Sequence, residues 1–597
     1  MNSTLSQTAS GEEMNKQLRA ATVVASLAAL APLAGAQTTT RKSPQHRKPA
    51  GPSIQTQIRE MRDQLQSQID ELKSKLADKD AQIQALQTST QSVQQTTAAN
   101  QAATEAVAVK VQGIGTTVEA TTSSVASLQT QTASVATGIE QVRKTEEKIQ
   151  KSVDEPVAIH YKGVTITPGG FIAGESIWRQ RAMNSDIYTN FNATPYMNTG
   201  EAHTSEWVPS ARQTRPSVLV SGKTPFGTVS GFFEADFLSA GTTSNNLQSN
   251  SYTLRVRQAW AQASFGRSKF TAGQMFTLLT ENKKSADPGQ EALPLTFDNN
   301  FHVGETWSRQ MGYRFEESFT PKVTLAVSLE NSQYQFSASN APSNFFFGGV
   351  GVAAGLENQT ANYTNQIAPD VIAKVSFDPG FGHYEIGGIA RFFRDRFYPG
   401  TTAAGAQNDT RVGGGFVASA RLPIAHKLDL GLHLIGGDGT GRYGASLLPD
   451  ITVRPDGTLS PLRNAQGLLS LELHATKKLD LFGYAGTEYV QRTYYRNAAG
   501  TLVGYAPPTA SNAGCNTEGV PTAGTGYAPG VTACVGATRN ITQGSAGWVY
   551  RIYSGPAGKL QYGVAYSYLT RSGWQGVGGA PKATNNFVYT SVRYYIP

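Results

Sequence analysis

A seven-residue apolar repeat runs from Ile69 to Ile149 and then gives way to a two-residue alternation that continues to the end of the chain. Stepping three and four residues at a time, the repeat passes through Leu72, Leu76, Ile83, Leu86, Val93, Val107, Val111, Ile114, Val118, Val125, Leu128, Val135, Ile139 and Val142 without a change of phase. That is far more than the three or four heptads needed to define a coiled coil. An earlier block, Ile54, Ile58, Met61 and Leu65, joins through one extra four-residue step, the stutter that locally unwinds a supercoil. At about 1.5 Å per residue, a helix of about 95 residues is a rod of roughly 140 Å. Val and Ile at both core positions favour three or more strands, and polar Asn100 in the core fixes register. The pattern predicts a parallel trimeric coiled coil over residues 54–151.

From Val157 to Pro597 apolar and polar residues alternate instead. Leu560, Tyr562, Val564, Tyr566 and Tyr568 interleave with Lys559, Gln561, Gly563, Ala565 and Ser567, and Leu428, Leu430, Leu432 and Leu434 interleave with Asp429, Gly431 and His433. About sixteen such segments are counted, from 168–181 to 583–596, each near the ten residues with which a tilted strand crosses an outer membrane. Their connections alternate between short, such as Thr224-Pro225-Phe226, Gly266-Arg267 and Gly555-Pro556-Ala557-Gly558, and long, near 182–211, 278–305, 331–367, 437–465 and 492–542. Short turns on one side and long loops on the other belong to a membrane barrel, and a soluble sandwich or propeller has no reason to segregate them. The fold class expected is an all-β transmembrane barrel of about sixteen antiparallel strands, preceded by a long α-helical coiled coil. Sixteen strands leave an aqueous interior, where about eight would be filled by side chains.

Ahead of the rod, Lys16 and Arg19 precede an apolar run from Ala20 to Leu33, and Ala34-Gly35-Ala36 forms a small-residue cleavage site. Residues 1–36 therefore read as a secretory signal, with Met14 a more typical start than Met1. Residues 37–53 form a basic, proline-containing linker that is either a solvated tether or an attachment to an anionic envelope polymer. The two cysteines, Cys515 and Cys534, are expected to form one disulfide, which requires an oxidising compartment. No apolar run of the mature chain is long enough for a membrane helix, so a membrane crossing must use a closed barrel.

Strand parity predicts what lines the interior. An arginine facing lipid at the midplane costs about 2–4 kcal/mol, and Arg179, Arg255, Arg257, Arg391, Arg421, Arg551, Arg571 and Arg593 lie opposite the apolar faces of their strands. Arg255 and Arg257 are expected to share the inner face with Ala259 and Ala261, leaving Val256 and Trp260 outside. Arg309 breaks the rule by sharing parity with Trp307 and Met311, which places it at the rim or leaves its register open. Glu234 and Asp236 point the same way as Arg255 and Arg257, either as cross-strand ion pairs or beside arginines that meet solute. With a formal net charge of +8, such a lumen favours anions, carboxylates and phosphates above all. The loop near 278–305, with Lys283, Lys284 and Asp287, either folds inward as a constriction or stays exposed.

Three stretches carry a family resemblance: Phe232-Phe233-Glu234-Ala235-Asp236-Phe237, Leu254-Arg255-Val256-Arg257-Gln258-Ala259-Trp260, and Phe270-Thr271-Ala272-Gly273-Gln274-Met275-Phe276-Thr277. Together they resemble the second-to-third-hairpin signature of the DcaP-like outer-membrane porins. The resemblance implies a trimeric sixteen-stranded channel with a periplasmic coiled coil, some relatives favouring dicarboxylates and other small anions. The close match spans about 212–280. Two features depart from the family pattern: the coiled coil is unusually long, and the chain ends Tyr594-Tyr595-Ile596-Pro597 in place of a terminal Phe. The expected function is passive diffusion of small, dicarboxylate-like anions through a homotrimer set in outer-membrane lipid. The alternative is an envelope tether that reaches peptidoglycan through its rod. Gly349-Val350-Gly351-Val352-Ala353-Ala354 lacks the strand and helix that give a dinucleotide motif its purpose, and the histidines show no metal-ligand spacing. No enzyme activity, cofactor, metal or nucleic-acid partner is expected.

Overall fold

The structure, a computed structural model, describes residues 115–154, 158–239, 253–351, 361–425, 427–522 and 524–597. The expected signal segment, the basic linker and the first part of the expected coiled coil, residues 54–114, lie outside the described residues. Helix α1 spans Gly115–Asp154. Within it Thr130, Thr132, Thr137 and Thr145 each donate their hydroxyl to the carbonyl four residues earlier, which satisfies the polar group of a weak helix former. The repeat positions Val135, Ile139 and Val142 are 37%, 39% and 42% exposed on the single chain.

The barrel begins with β1 (Val164–Arg179), β2 (Arg215–Thr224), β3 (Gly227–Asp236), β4 (Arg255–Phe265) and β5 (Ser268–Phe276). It continues through β6 (Arg309–Thr320), β7 (Val323–Glu330), β8 (Asp370–Phe377), β9 (His383–Phe397) and β10 (Gln407–Ile424). β11 (Leu428–Asp438), β12 (Arg463–Leu473), β13 (Leu479–Val490), β14 (Thr538–Gly555), β15 (Gly558–Gly573) and β16 (Lys582–Tyr595) complete it. Each strand is antiparallel to its neighbour in sequence, and the wall closes where β16 pairs with β1 from Phe171↔Tyr595 to Arg179↔Phe587. The closed antiparallel barrel of sixteen strands leaves no long edge of unpaired backbone groups. Among the described residues no helix is long and apolar enough to cross a membrane.

Alternation is kept almost everywhere. On β9, Ile386 is 67% exposed while Arg391, on the other face, is fully buried. Outward aromatics gather where strands meet the short turns: Phe226, Phe265, Phe319, Phe377, Phe381 and Tyr594. Such a girdle marks an interface between apolar and aqueous surroundings.

One strand departs from strict parity, and it overturns the expected facing of Trp260. Across β3 and β4 the register runs Glu234↔Gln258 and then Ala235↔Val256, so Arg257 is an extra residue in a bulge. Arg257 and Gln258 are both buried, and beyond them the faces swap. Gln258, Trp260 and Gln262 point inward, with Trp260 against Phe232 at 5.5 Å between ring centroids, while Ala259 and Ala261 point out. Gln274 on β5 donates to the carbonyls of Val256 (2.9 Å) and Arg257 (3.1 Å), which satisfies groups that the bulge takes out of the ladder. Gly273 sits at φ +136°, and a Cβ there would lie 2.2 Å from the Ala259 carbonyl oxygen, so a side chain has no room against β4.

The long loops fill much of the interior. Segment 277–308 enters the lumen and runs toward the short-turn end, where the Ser285 amide donates to Asp378 at 3.2 Å. It then returns past β14, with Val303 N bonded to Gln543 (2.9 Å) and His302 Nε2 to Ser545 (2.9 Å). Leu278, Leu279 and Ala286 pack with inward residues of β7 to β11, including Ile372, Ile389 and Ile435. Phe297 and Val303 join Ile177, Leu468, Phe482, Ile541 and Phe587 in a larger cluster. Of the two sequence readings of this loop, the inward one holds. At the long-loop end the disulfide Cys515–Cys534 forms as expected, and its loop is bonded to segment 180–214 through Asn198 Nδ2→Thr532 O (2.8 Å) and Thr532 N→Asn198 O (3.1 Å).

Replacing Cys515 and Cys534 by Ser removes a closure worth about 3 kcal/mol on the chain-entropy model. The expected result is protease cleavage within 515–534 at concentrations that leave the parent intact, with the barrel still migrating as a folded species in unheated detergent gels. Equal resistance of the double variant would show that the loop contacts alone hold this segment.

Candidate functional site

The inner wall of β1 to β6 and β16 carries the densest group of charges around Phe171, the midpoint of β1. Inward parity from β1 selects Glu175, parity from β2 selects Arg215, and the β4 bulge keeps Arg255 and Arg257 on the inner side. Arg255 is bidentate to Asp236, with Nε–Oδ1 2.9 Å and Nη2–Oδ2 2.8 Å. Arg257 donates to Glu234 (2.7 Å), Asp236 (2.9 Å) and Asn299 of the inward segment (3.0 Å). Of the two readings of Glu234 and Asp236, the cross-strand ion pairs are present.

Arg215 reaches Glu234 only at 3.9 Å and lies 5.0 Å from the Phe171 ring centroid. Arg593 takes the other side of that ring at 4.7 Å and donates to Glu175 at 2.7 Å. Arg309 makes no ion pair among the described residues; it rests over Phe276 (5.4 Å) and Trp307 (5.0 Å). Its charged neighbours include Arg257, Arg255, Arg215, Asp236 and Glu234. The group thus holds five guanidiniums, from Arg215, Arg255, Arg257, Arg309 and Arg593, against the carboxylates of Glu175, Glu234 and Asp236, with Glu291 of the inward segment acting on Glu234. Guanidinium is in excess. Nε of Arg215, Nη2 of Arg257 and Nη1 of Arg309 have no hydrogen-bond partner. Solvent reaches this wall: the Arg255 side chain is 33% exposed, and inward Ser217, Leu219, Ser221 and Ser230 are half-buried or exposed.

The other sequence-predicted residues hold loops. Arg179 is fully buried, donating to Glu206 (2.7 Å) and to the Ser185 (2.8 Å) and Tyr188 (3.0 Å) carbonyls of segment 180–214. Arg391, also enclosed, bridges Asp370 (3.0 Å) and Asp450 (2.8 Å), the latter from the loop between β11 and β12. Arg421 reaches Glu281 of the inward segment at 3.0 Å and Glu472 at 3.7 Å. Arg551 pairs with Asp480 near the short-turn end. Asp287 pairs with Lys269, while Lys283 and Lys284 stand exposed at the tip of the inward segment.

Sequence reasoning passed over Arg215 as a site residue, although its parity with Ser217 and Ser221 against Val218 and Val220 carried the signal. It also left out Lys374. Lys374 is fully buried and donates to Glu385 (2.7 Å), Thr280 O (2.9 Å) and Asn282 Oδ1 (2.8 Å), fastening the inward segment to β8 and β9. Asp429, Glu472 and His474 come within 4.8 Å of one another, a proximity no sequence spacing showed. Each is already engaged: Tyr484 and Arg421 hold Glu472, and His474 lies between Asp480 (2.9 Å) and Asp429 (3.6 Å).

Removing one partner of a buried ion pair costs about 3–5 kcal/mol because the other charge stays behind. Lys374→Met is therefore expected to lower stability to urea by about that amount, with Glu385→Gln added in the same chain restoring much of it; additive losses would exclude the pairing. His474, in the turn after β12, is held above its ordinary pKa of 6.5, first by the hydrogen bond to Asp480. Protonated His474 therefore stabilises the fold below pH 6.5, and that contribution fades as pH rises through the raised folded value. Imidazole titration by NMR should place His474 above the ordinary value, and Asp480→Asn should bring it down.

No protein-family model matches the chain, and no curated relative does. Solved structures to which it is similar include the outer-membrane channel DcaP of Acinetobacter baumannii, 14% identical with a TM-score of 0.49, covering 73% of this chain and 99% of that one. The anion-selective porin from Comamonas acidovorans is 10% identical with a TM-score of 0.39, covering 72% of this chain and all of the other (100%). OmpF of Salmonella typhi, in a complex with daunomycin, is 10% identical with a TM-score of 0.39, covering 74% of this chain and 100% of that chain.

Proposed function

We propose that the protein is an outer-membrane channel for passive diffusion of small anions, working as a homotrimer with its helical rod in the periplasm. The observation that carries this reading is the excess of guanidinium on the inner wall of a closed barrel, where the Arg255 side chain is 33% exposed. Guanidinium that solvent reaches replaces part of the hydration an anion loses on entering a narrow passage. An excess of guanidinium suits anions, and a dicarboxylate meets guanidinium forks through charge-assisted bonds.

The inward segment narrows the passage from the opposite side. Asn299 sits on Arg257 and Phe297 lies 5.7 Å from the Arg593 guanidinium, so a solute moving along the β2 to β4 wall meets the arginines at the narrow point. The trimer is supported by the apolar repeat of α1, whose Val135, Ile139 and Val142 lie exposed on the single chain. Burying that stripe against two further copies removes it from water.

Reconstituted in planar bilayers under asymmetric KCl, the protein is expected to open in triplets of conductance steps with a reversal potential on the anion-selective side, and succinate is expected to reduce chloride current. A unit charge at about 6 Å in a water-filled passage is worth about 0.7 kcal/mol, roughly a threefold effect on anion occupancy. Arg309→Gln should therefore move the reversal potential toward zero while leaving the triplet intact. Folded barrel without conductance, or cation selectivity, would sink the reading.

A further inference from the structure

The long-loop end holds a cavity separate from the arginine group around Phe171. Its volume is about 330 Å³, and it opens between segment 180–214 and the disulfide-closed loop. Pro195, Pro529 and Val535 give it apolar walls, and Arg571 and Glu201 are its charged residues. Both walls are fixed in place: Asn198 and Thr532 bond reciprocally, and the Tyr196 hydroxyl donates to the Gly536 carbonyl at 3.1 Å.

Arg571, near the end of β15, donates from Nε to Thr538 Oγ1 (3.0 Å) and from Nη1 to the Thr194 carbonyl (2.9 Å). The guanidinium lies 4.4 Å from the centroid of the Tyr196 ring. Among the described residues it has no carboxylate partner, and the ionisable groups acting on it are the phenols of Tyr196 and Tyr505. Inward arginines Arg551 and Arg593 each have an acid within reach. A guanidinium taken partly out of water without a counter-charge is unfavourable until an anion meets it. A concave apolar cavity with one such polar group has the make-up of a small-molecule site.

Glu201 limits the class of anion. It accepts from Asn184 at 2.9 Å and from Thr199, so it stays on the cavity wall as a negative group that a second ligand carboxylate would meet. We propose that this cavity binds a small monocarboxylate with an apolar body, its carboxylate on Arg571 and its body against Pro195, Pro529 and Val535. The site is distinct in place from the arginine group around Phe171.

Benzoate, benzamide and succinate serve as probes for the purified full-length protein in detergent, with binding read by titration calorimetry. Benzoate is expected to bind once per chain, with benzamide and succinate each at least about tenfold weaker, since a hydrogen bond to a charged group is worth about 1.5–3 kcal/mol. Arg571→Gln should abolish benzoate binding. Because that change also releases Thr194 and Thr538, a second variant, Val531→Trp, fills the cavity from an exposed rim position and leaves the guanidinium in place; it too should abolish binding. Equal binding of benzoate and benzamide, or binding that survives both variants, would overturn the proposal. Calorimetry does not depend on conductance, so a protein that binds benzoate and passes no current defeats the channel reading alone, and one that conducts without binding benzoate defeats this one alone.

Discussion

Backbone amide and carbonyl groups that face hydrocarbon have no water to turn to, so each must find its partner within the wall. That constraint makes the pairing of β16 with β1 the interaction on which the molecule depends. Once Phe171↔Tyr595 and the pairs beyond it are formed, every strand has two neighbours, and alternate side chains are committed to the outer face or the lumen. The apolar outer face, the aromatic girdle at the short turns and the charged inner face are consequences of closure acting on a period of two.

Inside the wall a different balance operates. The interior is neither an empty aqueous tube nor an ordinary hydrophobic core, because segment 277–308 brings apolar residues and charges in together. Several buried charges there are held in pairs, as Lys374 with Glu385 and Arg391 with Asp370 and Asp450 show, since a lone charge in such surroundings is strongly unfavourable. Arg255, paired with Asp236, is 33% exposed and keeps a guanidinium within reach of the lumen.

Much of this was legible in the residue pattern and some of it was not, for reasons that can be located. Period-two alternation placed all sixteen strands close to their observed bounds, because the two faces of a barrel strand meet different solvents. The same logic put Arg391, Arg421 and Arg593 opposite the apolar faces of their strands. It failed at Trp260, where one inserted residue, Arg257, swaps the faces; a bulge leaves no mark in a count of alternations. The partners of Arg391 and Arg421 were also hidden, since Asp450 and Glu281 lie in loops whose path is set by tertiary packing. Leu278, Leu279, Phe297 and Val303 are apolar residues in a loop, which hinted at burial without saying against what.

The threading of segment 277–308 through the lumen bears on the order in which the chain assembles. Its contacts reach from Lys269 at the start of β5 to Tyr589 on β16, and the seam includes a bond between Glu175 and Ser591, 416 residues apart. Contacts of such separation carry the largest loop-closure entropy and form late. Bonded to both sides of the barrel, the segment is enclosed most easily if it already lies against β7 to β11 when the seam zips. The wall then shuts around its own plug, and topology, more than the strength of any one contact, sets the timetable of folding.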